Sequence, residues 1–216
     1  MNRTAAIDLA LQRGLSSPRL GRYLVDSGGI LDAALSLYER NARLAESFYR
    51  PLQALEVCLR NHMDARLVRQ FGANWYANGG PQLDDETLEK IDKAVRDVKQ
   101  SGKRVTPGAV VAELSFGFWV LLLSRRYDAT LWRSQFSPVF TEAGRKMARQ
   151  RVHNRMDELR KFRNRVAHHE PIYHLDPAQK HADLIQGIAW ICPDSAAWAW
   201  EHSRVPYVLE KPWPAL

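Results

Sequence analysis

Apolar residues recur at helical spacing through most of this chain. Over residues 30–71 they repeat every three or four positions, and Pro51 interrupts the pattern, so we expect a kink or a split there. Residues 110–123 form the most apolar run and predict a buried central helix. Residues 144–168 predict a long amphipathic helix, and no segment alternates with a period of two. The pattern therefore predicts an all-α fold.

Cap and turn residues predict where the other elements begin and end. Ser17-Pro18 and Thr106-Pro107 are typical helix starts, and Asp84 or Asp85 can cap a helix that ends near residue 100. Two further helices are expected near residues 177–190 and 194–202. Residues 125–140 predict a connection anchored by aromatic side chains, and 205–216 predict an extended tail. We expect one domain over residues 1–216, with a core of about 20–204.

Composition narrows the class of protein and its partners. The 216 residues carry a formal charge of +7, which favours an anionic partner such as nucleic acid. No apolar run approaches the roughly 20 residues that a membrane-spanning helix needs, and the N-terminus does not resemble a secretory signal. Cys58 and Cys192 lie in apolar surroundings and are expected to be reduced core residues. We therefore expect a cytoplasmic protein with no membrane association.

The end of the long predicted helix carries candidate chemistry. Arg163 and Asn164 precede His168 and His169, and the run stops at a proline. A guanidinium can hold a phosphate through two hydrogen bonds and stabilise the charge that develops on it. His168 can exchange a proton near neutral pH, and Asn164 can orient the imidazole or a phosphate oxygen. These groups suit RNA cleavage to a 2′,3′-cyclic phosphate without a metal or another cofactor.

Helix geometry limits how these side chains can meet. Five positions on a straight helix amount to about 500°, so Arg163 and His168 would point roughly 140° apart. Either the helix loosens before Pro171, or a second copy of the chain completes the site across a two-fold interface. A structural interpretation also stands, in which Arg163 is a solvated cation and the histidines lie at a helix C-terminus favoured by the dipole.

Four segments in order carry a resemblance to a known family. They read Ala-Leu-Glu-Val-Cys-Leu-Arg-Asn at 54–61, Phe-Gly-Ala-Asn-Trp-Tyr at 71–76, Glu-Leu-Ser-Phe-Gly-Phe-Trp at 113–119, and Arg-Asn-Arg-Val-Ala-His-His-Glu-Pro-Ile at 163–172. The last segment fits the Arg-polar-x-x-x-His signature of the HEPN superfamily. Together the four segments resemble the Abi-like (abortive infection, AbiD/AbiF-type) proteins of that superfamily over roughly residues 20–190.

The resemblance implies a fold, a site and partners. It implies a HEPN-like helical bundle with peripheral helices, a homodimer, and a ribonuclease that acts in phage defence or as a toxin. Arg163, Asn164 and His168 would be the catalytic residues and RNA the substrate, with His169 in a supporting position. An antitoxin or a phage-derived trigger is a further expected partner. The alternative is a non-catalytic module of the same fold that binds RNA or a protein. A sequence-specific DNA binder is a third class, but no helix-turn-helix pattern supports it.

A polar cluster on an earlier helix has two interpretations. Glu56 and Arg60 are spaced for an i,i+4 ion pair on the surface. Alternatively, this cluster faces the site, with Glu56 holding Arg163, Arg60 binding a second phosphate, and Asn61 beside them. The sequence leaves both interpretations open.

Aromatic residues and histidines complete the candidates. Phe116, Phe118 and Trp119 could stack on RNA bases, but their apolar surroundings favour a place in the core. The histidines lack the spacing of known metal motifs, so no metal site is expected.

Overall fold

The computed structural model describes residues 3–77 and 80–211. These residues are mostly helical, which confirms the predicted all-α class. The helices are α1 (Ala5–Leu15), α2 (Ser17–Asp26), α3 (Leu31–Ser47), α4 (Tyr49–Phe71), α5 (Asp85–Gln100), α6 (Pro107–Glu113), α7 (Phe116–Leu121), α8 (Arg149–Ala167), α9 (Pro177–Ala189), α10 (Pro193–Glu201) and α11 (Val205–Glu210). A short antiparallel hairpin pairs β1 (Thr141–Glu142) with β2 (Arg145–Lys146), with Thr141 opposite Lys146.

Side-chain caps set the start of several helices. The Asp84 carboxylate accepts a hydrogen bond from the N–H of Thr87 at 3.0 Å, and the Thr106 hydroxyl accepts one from the N–H of Ala109 at 3.2 Å. These contacts confirm the predicted starts of α5 and α6. The Thr4 hydroxyl caps α1 in the same way, and this helix lies before the first one that the sequence pattern predicts.

The long apolar pattern over residues 30–71 is split, as expected. α3 ends at Ser47 and α4 begins at Tyr49, so Pro51 falls in the first turn of α4. A proline is tolerated there because the N–H groups of the first turn have no partner within the helix.

The single helix predicted over residues 110–123 is wrong. α6 ends at Glu113, and Ser115 starts α7 by accepting a hydrogen bond from the N–H of Phe118 at 3.2 Å. Serine competes with the helical backbone for hydrogen bonds and so favours a cap over a helix interior. The resulting turn between α6 and α7 carries polar groups into an otherwise apolar region.

Two further expectations are corrected. The helix predicted from residue 144 begins at Arg149, because Gly144 adopts a φ of +75° in the turn of the β1–β2 hairpin. The tail predicted to be extended begins with α11, and Val205 is buried. Residues 212–216 of that tail lie outside the described residues.

The connection over 125–140 forms two 3₁₀ turns around a π-helical segment, Asp128–Phe136, anchored by buried aromatic residues.

The main core surrounds α4, which packs against α7, α9 and α10. α9 also packs against α8, and Gly187 lies at this crossing. A Cβ atom on Gly187 would lie 3.2 Å from Cδ1 of Leu159 in α8 and 3.6 Å from Cδ1 of Leu55 in α4. The small residue lets α4 and α8 approach the same part of α9, which places Glu56 and Arg163 near each other.

A second, smaller core joins α2 and α3. Tyr23 is fully buried there, with its ring 5.3 Å from that of Tyr38 and 5.6 Å from that of Tyr173, measured between centroids. Because Tyr173 belongs to the loop between α8 and α9, this small core ties the N-terminal helix pair to the end of α8.

The cysteines occupy core or near-core positions as free thiols. Cys58 is buried and Cys192 is half-buried. Burial raises the pKa of Cys58 to about 11, so this thiol stays protonated at neutral pH. Within the described ranges, no helix is both long enough and apolar enough to cross a membrane.

Candidate functional site

The histidines follow α8 in a tight helix-ending turn. The N–H of His168 closes the last helical turn on the carbonyl oxygen of Asn164 at 2.9 Å. The N–H of His169 then bonds the oxygen of Val166 at 3.1 Å, and the N–H of Glu170 bonds the oxygen of Arg165 at 2.9 Å. These two bonds form a Schellman motif, and His169 has the left-handed φ of +57° that this motif requires. Both histidine side chains are exposed.

Arg163 and His168 do not share one face of α8. The helix stays regular from Arg163 to Ala167, so the separation of roughly 140° expected from helix geometry is preserved. The helix does end before Pro171, but only after Ala167, and this ending does not bring Arg163 and His168 onto one face. Completion of the site by a second copy of the chain stays a prediction.

The N-terminal helices hold the backbone of the histidine turn. Nη1 of Arg19 in α2 donates to the carbonyl oxygens of His168 and His169 at 3.3 and 3.1 Å. The buried Asn41 of α3 donates to the oxygen of Glu170 at 3.1 Å and accepts from the N–H of Ile172 at 2.7 Å. We call this set of contacts the turn clamp.

The loop beyond the turn is tied to α2 by a further contact. The hydroxyl of Tyr173 donates to Oδ2 of Asp26 at 2.5 Å. Burial and the neighbouring Asp26 carboxylate raise the pKa of Tyr173 to about 12, so the hydroxyl remains a donor at neutral pH.

Sequence reasoning missed the turn clamp. A signal for one part of it was present, because Asn41 is a polar residue on the apolar face of α3, between Leu37 and Leu44. A buried amide on such a face must find hydrogen-bond partners, which predicts contact with irregular backbone. Arg19 gives no comparable signal, since it is one of several exposed cations.

Arg163 is held by a carboxylate from α4. Its Nε lies 2.6 Å from Oε1 of Glu56, and the two side chains are 38% and 26% exposed. Of the two interpretations of Glu56, the contact with Arg163 is therefore the one that the structure shows. Among the described residues, Glu56 forms no i,i+4 ion pair with Arg60. This contact uses Nε of Arg163 and leaves its terminal Nη groups available.

A cavity of about 240 Å³ lies beside this pair. α4 contributes Glu56 and Arg60, and α8 contributes Arg163. The end of α6, the turn after it and α7 contribute residues 112–116 and Trp119. The cavity is thus assembled from three helical regions that are distant in sequence. His168 does not line it.

The four segments that carry the family resemblance meet around this cavity. Three of them supply its lining, and the segment at residues 71–76 supports it from behind. There the Trp75 ring lies 6.3 Å from Phe118 and 6.0 Å from Trp119, between centroids. Trp75 also donates from Nε1 to Asp64 at 2.7 Å. Phe116, Phe118 and Trp119 are all buried, so their rings belong to the core and do not form an exposed stacking surface.

The remaining predicted site residues have weaker contacts. Asn164 is half-buried, and its side chain makes no hydrogen bond within the described part of the chain. Asn61 is exposed and accepts a hydrogen bond from Nε of Arg60 at 3.2 Å. Asn61 therefore borders the cavity residue Arg60 but does not itself line the cavity.

The cations of α8 are neutralised within the fold. Each of its seven Lys and Arg side chains lies within 4.0 Å of a carboxylate; the pairs are Arg149–Asp128, Arg151–Glu142, Arg155–Asp183, Arg160–Asp157, Lys161–Asp157, Arg163–Glu56 and Arg165–Glu170. Burial alone would raise the pKa of Asp157, but hydrogen bonds from Lys161 and Arg160 hold that pKa below its ordinary value. The helix is therefore a network of ion pairs and not a row of free cations.

The site and the fold define a protein of the all-α class with a polar cavity at the meeting point of three helical regions. Within the described ranges, no group of three or more His, Cys, Asp or Glu side chains is arranged to hold a metal ion. No protein-family model, curated protein or solved structure matches this chain.

Proposed function

We propose that this protein is a metal-independent endoribonuclease of the HEPN type, with a composite site formed by two copies of the chain. The observation that carries the proposal is the arrangement around Arg163. Segments resembling those of Abi-like proteins converge on one cavity, and Glu56 fixes the Arg163 guanidinium at its edge with the Nη groups free. A guanidinium held in this way is preorganised to bind a phosphate oxygen.

Cleavage uses the two histidines that a homodimer supplies. His168 of one copy takes the proton from the ribose 2′-hydroxyl, whose oxygen attacks the adjacent phosphorus. His168 of the other copy gives a proton to the departing 5′-oxygen, and the phosphate closes to a 2′,3′-cyclic product. Arg163 stabilises the negative charge of the pentacoordinate phosphate, and Asn164 orients the imidazole. The second copy is required because Arg163 and His168 point apart within one chain.

The first test is cleavage of RNA in the presence of EDTA. We expect the wild type to cut, and Arg163→Ala and His168→Ala each to lose at least about a hundredfold in rate, as expected for removing an acid–base or charge-stabilising group. Arg145→Ala and His174→Ala are matched controls, since both residues are exposed and lie away from the cavity. A wild type that never cuts RNA, or mutants that cut as fast as wild type, would contradict the proposal.

A mixing experiment tests the composite site directly. Wild-type chains are co-assembled with an equal amount of Arg163→Ala/His168→Ala chains, so that about half of the dimers are mixed and about a quarter are wild type. Because cleavage needs a histidine from each copy, we expect the mixed dimers to be inactive and the total activity to be about a quarter of that of the same amount of wild-type chain. A site contained within one chain would instead keep about half of that activity, since each wild-type chain would work on its own.

In the cell, this cleavage serves phage defence through abortive infection or acts as a toxin in the cytoplasm. Either an antitoxin holds it inactive, or a phage-derived trigger activates it on infection. Induced expression should arrest growth, and Arg163→Ala should relieve the arrest.

A second candidate function is a non-catalytic module that binds RNA or a protein. The position of His168 outside the cavity favours it, because the cavity alone contains no imidazole. This alternative predicts binding that His168→Ala leaves unchanged, with no RNA cleavage in any condition.

A further inference from the structure

The cavity beside Arg163 has a mixed lining. Its charged groups are two carboxylates, Glu56 and Glu113, and two guanidiniums, Arg60 and Arg163, so their formal charges cancel. A phosphate placed inside the cavity would lie near both carboxylates and meet like charge. The lining instead suits a neutral ligand that both donates and accepts hydrogen bonds.

Two of the four charged groups remain free to bind such a ligand. Arg60 donates from Nε to Oδ1 of Asn61, and no carboxylate of the described residues pairs with it, so its Nη groups are free. Glu113 ends α6, is exposed, and has no ion-pair partner within the described ranges. Glu56 and Arg163, in contrast, already contact each other.

The rest of the lining adds only a small apolar patch. Phe116 and Trp119 line the cavity but are only 4% and 1% exposed, so each ring presents little surface to a ligand. Hydrogen bonds to the charged groups, and not ring stacking, would therefore determine which ligand the cavity binds.

We infer that this cavity is a nucleobase pocket that selects guanine. Guanine presents two adjacent acceptors, O6 and N7, which an arginine binds bidentately. Its N1–H and exocyclic amino group are two adjacent donors, which a carboxylate accepts. Arg60 and Glu113 supply these partners. The other bases do not match both groups: uracil has a single N–H donor, and adenine and cytosine place an amino donor beside an acceptor.

The inference rests on the proposed ribonuclease function only for its link to cleavage. Arg163 lies at the same cavity, so a guanine held by Arg60 and Glu113 would place a neighbouring phosphate at Arg163. Bases of single-stranded RNA are accessible to such a pocket because they can unstack from the strand. The enzyme would then cut next to guanine, with Glu113 as a specificity-determining residue that sequence reasoning did not assign.

Mononucleotide binding tests the pocket without requiring cleavage. The full chain is titrated with GMP, AMP, CMP, UMP and inorganic phosphate, and dissociation constants are measured by calorimetry or NMR. We expect GMP to bind about tenfold more tightly than the other nucleotides, a typical gain for one bidentate base contact. Glu113→Gln should remove most of this preference, because the amide NH₂ replaces one of the two carboxylate oxygens that would accept the adjacent N–H groups of guanine.

Glu158→Gln is the matched control, since Glu158 is an exposed carboxylate of α8 outside the cavity lining. It should leave the GMP preference unchanged. Equal binding of all four nucleotides, or phosphate binding as tight as GMP, would overturn the inference and indicate a phosphate subsite. Absence of binding by any of the probes would also overturn it.

Mapping of cut positions separates this inference from the proposed function. Cuts beside guanine that Glu113→Gln redistributes would support both. Cuts with no base preference would retain the ribonuclease and discard the guanine pocket. A GMP preference in a protein that never cuts RNA would retain the pocket and discard the ribonuclease.

Discussion

Arg163 and the two histidines lie within seven residues of each other, yet different parts of the fold position them. Arg163 projects from a regular helix and contacts Glu56 on α4, so the main core determines its place. His168 and His169 follow the helix in an irregular turn that the turn clamp from α2 and α3 holds. One sequence motif is therefore divided between two structural units.

Arg163 forms the arginine half of this motif, and His168 and His169 form its histidine half. Because different contacts hold them, the two halves can be disturbed separately. The arginine half depends on packing between helices, which resists small changes at the surface. The histidine half depends on a few hydrogen bonds to backbone atoms, which a single side chain can remove. Mutations in α2 or α3 should therefore affect the histidine turn and leave the shape and lining of the cavity unchanged.

The largest effect is expected from Asn41→Ala. Its loss leaves the N–H of Ile172 and the carbonyl of Glu170 without their partner, and the free energy of unfolding should fall by about 2–3 kcal/mol. Urea denaturation measures this change. Asn154→Ala, an exposed asparagine on α8, is the control and should change stability by less than about 0.5 kcal/mol. Equal effects of the two variants would show that the clamp contributes little.

A smaller effect of opposite sign is expected from His169→Gly. The residue has a φ of +57°, which glycine adopts without the steric penalty that a Cβ atom imposes. Stability should therefore rise by about 0.5–1 kcal/mol, measured by thermal or urea unfolding. His169→Ala removes the same imidazole but keeps the Cβ atom, so it should give no gain. Equal stability of the Gly and Ala variants would argue against strain at this position.

The smallest effect is expected for the coupling energy of the Glu56–Arg163 ion pair. A double-mutant cycle with Glu56→Gln and Arg163→Gln should give a coupling of about 0.2–1 kcal/mol, because both side chains are partly exposed to water. Salt should reduce it. The surface pair Lys93–Asp97 provides a reference cycle. A coupling well above that reference would indicate that the pair contributes substantially to the fold as well as to the site.

Local signals in the sequence predicted much of the helical framework. Thr106 and Asp84 marked helix starts because a cap depends on neighbouring residues alone. The contact of Glu56 with Arg163 was one of two open alternatives, since spacing within one helix could not decide it. Ser115 was overlooked as a cap inside an apolar run, so α6 and α7 were predicted as one helix.

Other features depend on the tertiary fold and had no local signal. The carboxylates that pair with the cations of α8 include Asp128 and Asp183, which belong to other elements and reach α8 only after folding. His169 was not expected in a left-handed conformation, because glycine is the usual residue at that position. The cavity itself arises from segments that lie more than 40 residues apart along the chain.

The ion pairs of α8 have a consequence for the way this protein would respond to salt. A free cation that binds a nucleic-acid phosphate releases condensed counterions, and each such contact steepens the dependence of affinity on salt by a slope of about 0.7 for single strands. A paired cation must first exchange its carboxylate for the phosphate, so part of the gain is lost to that exchange. The net charge of +7 therefore overstates the number of counterions that a bound polyanion would displace from α8.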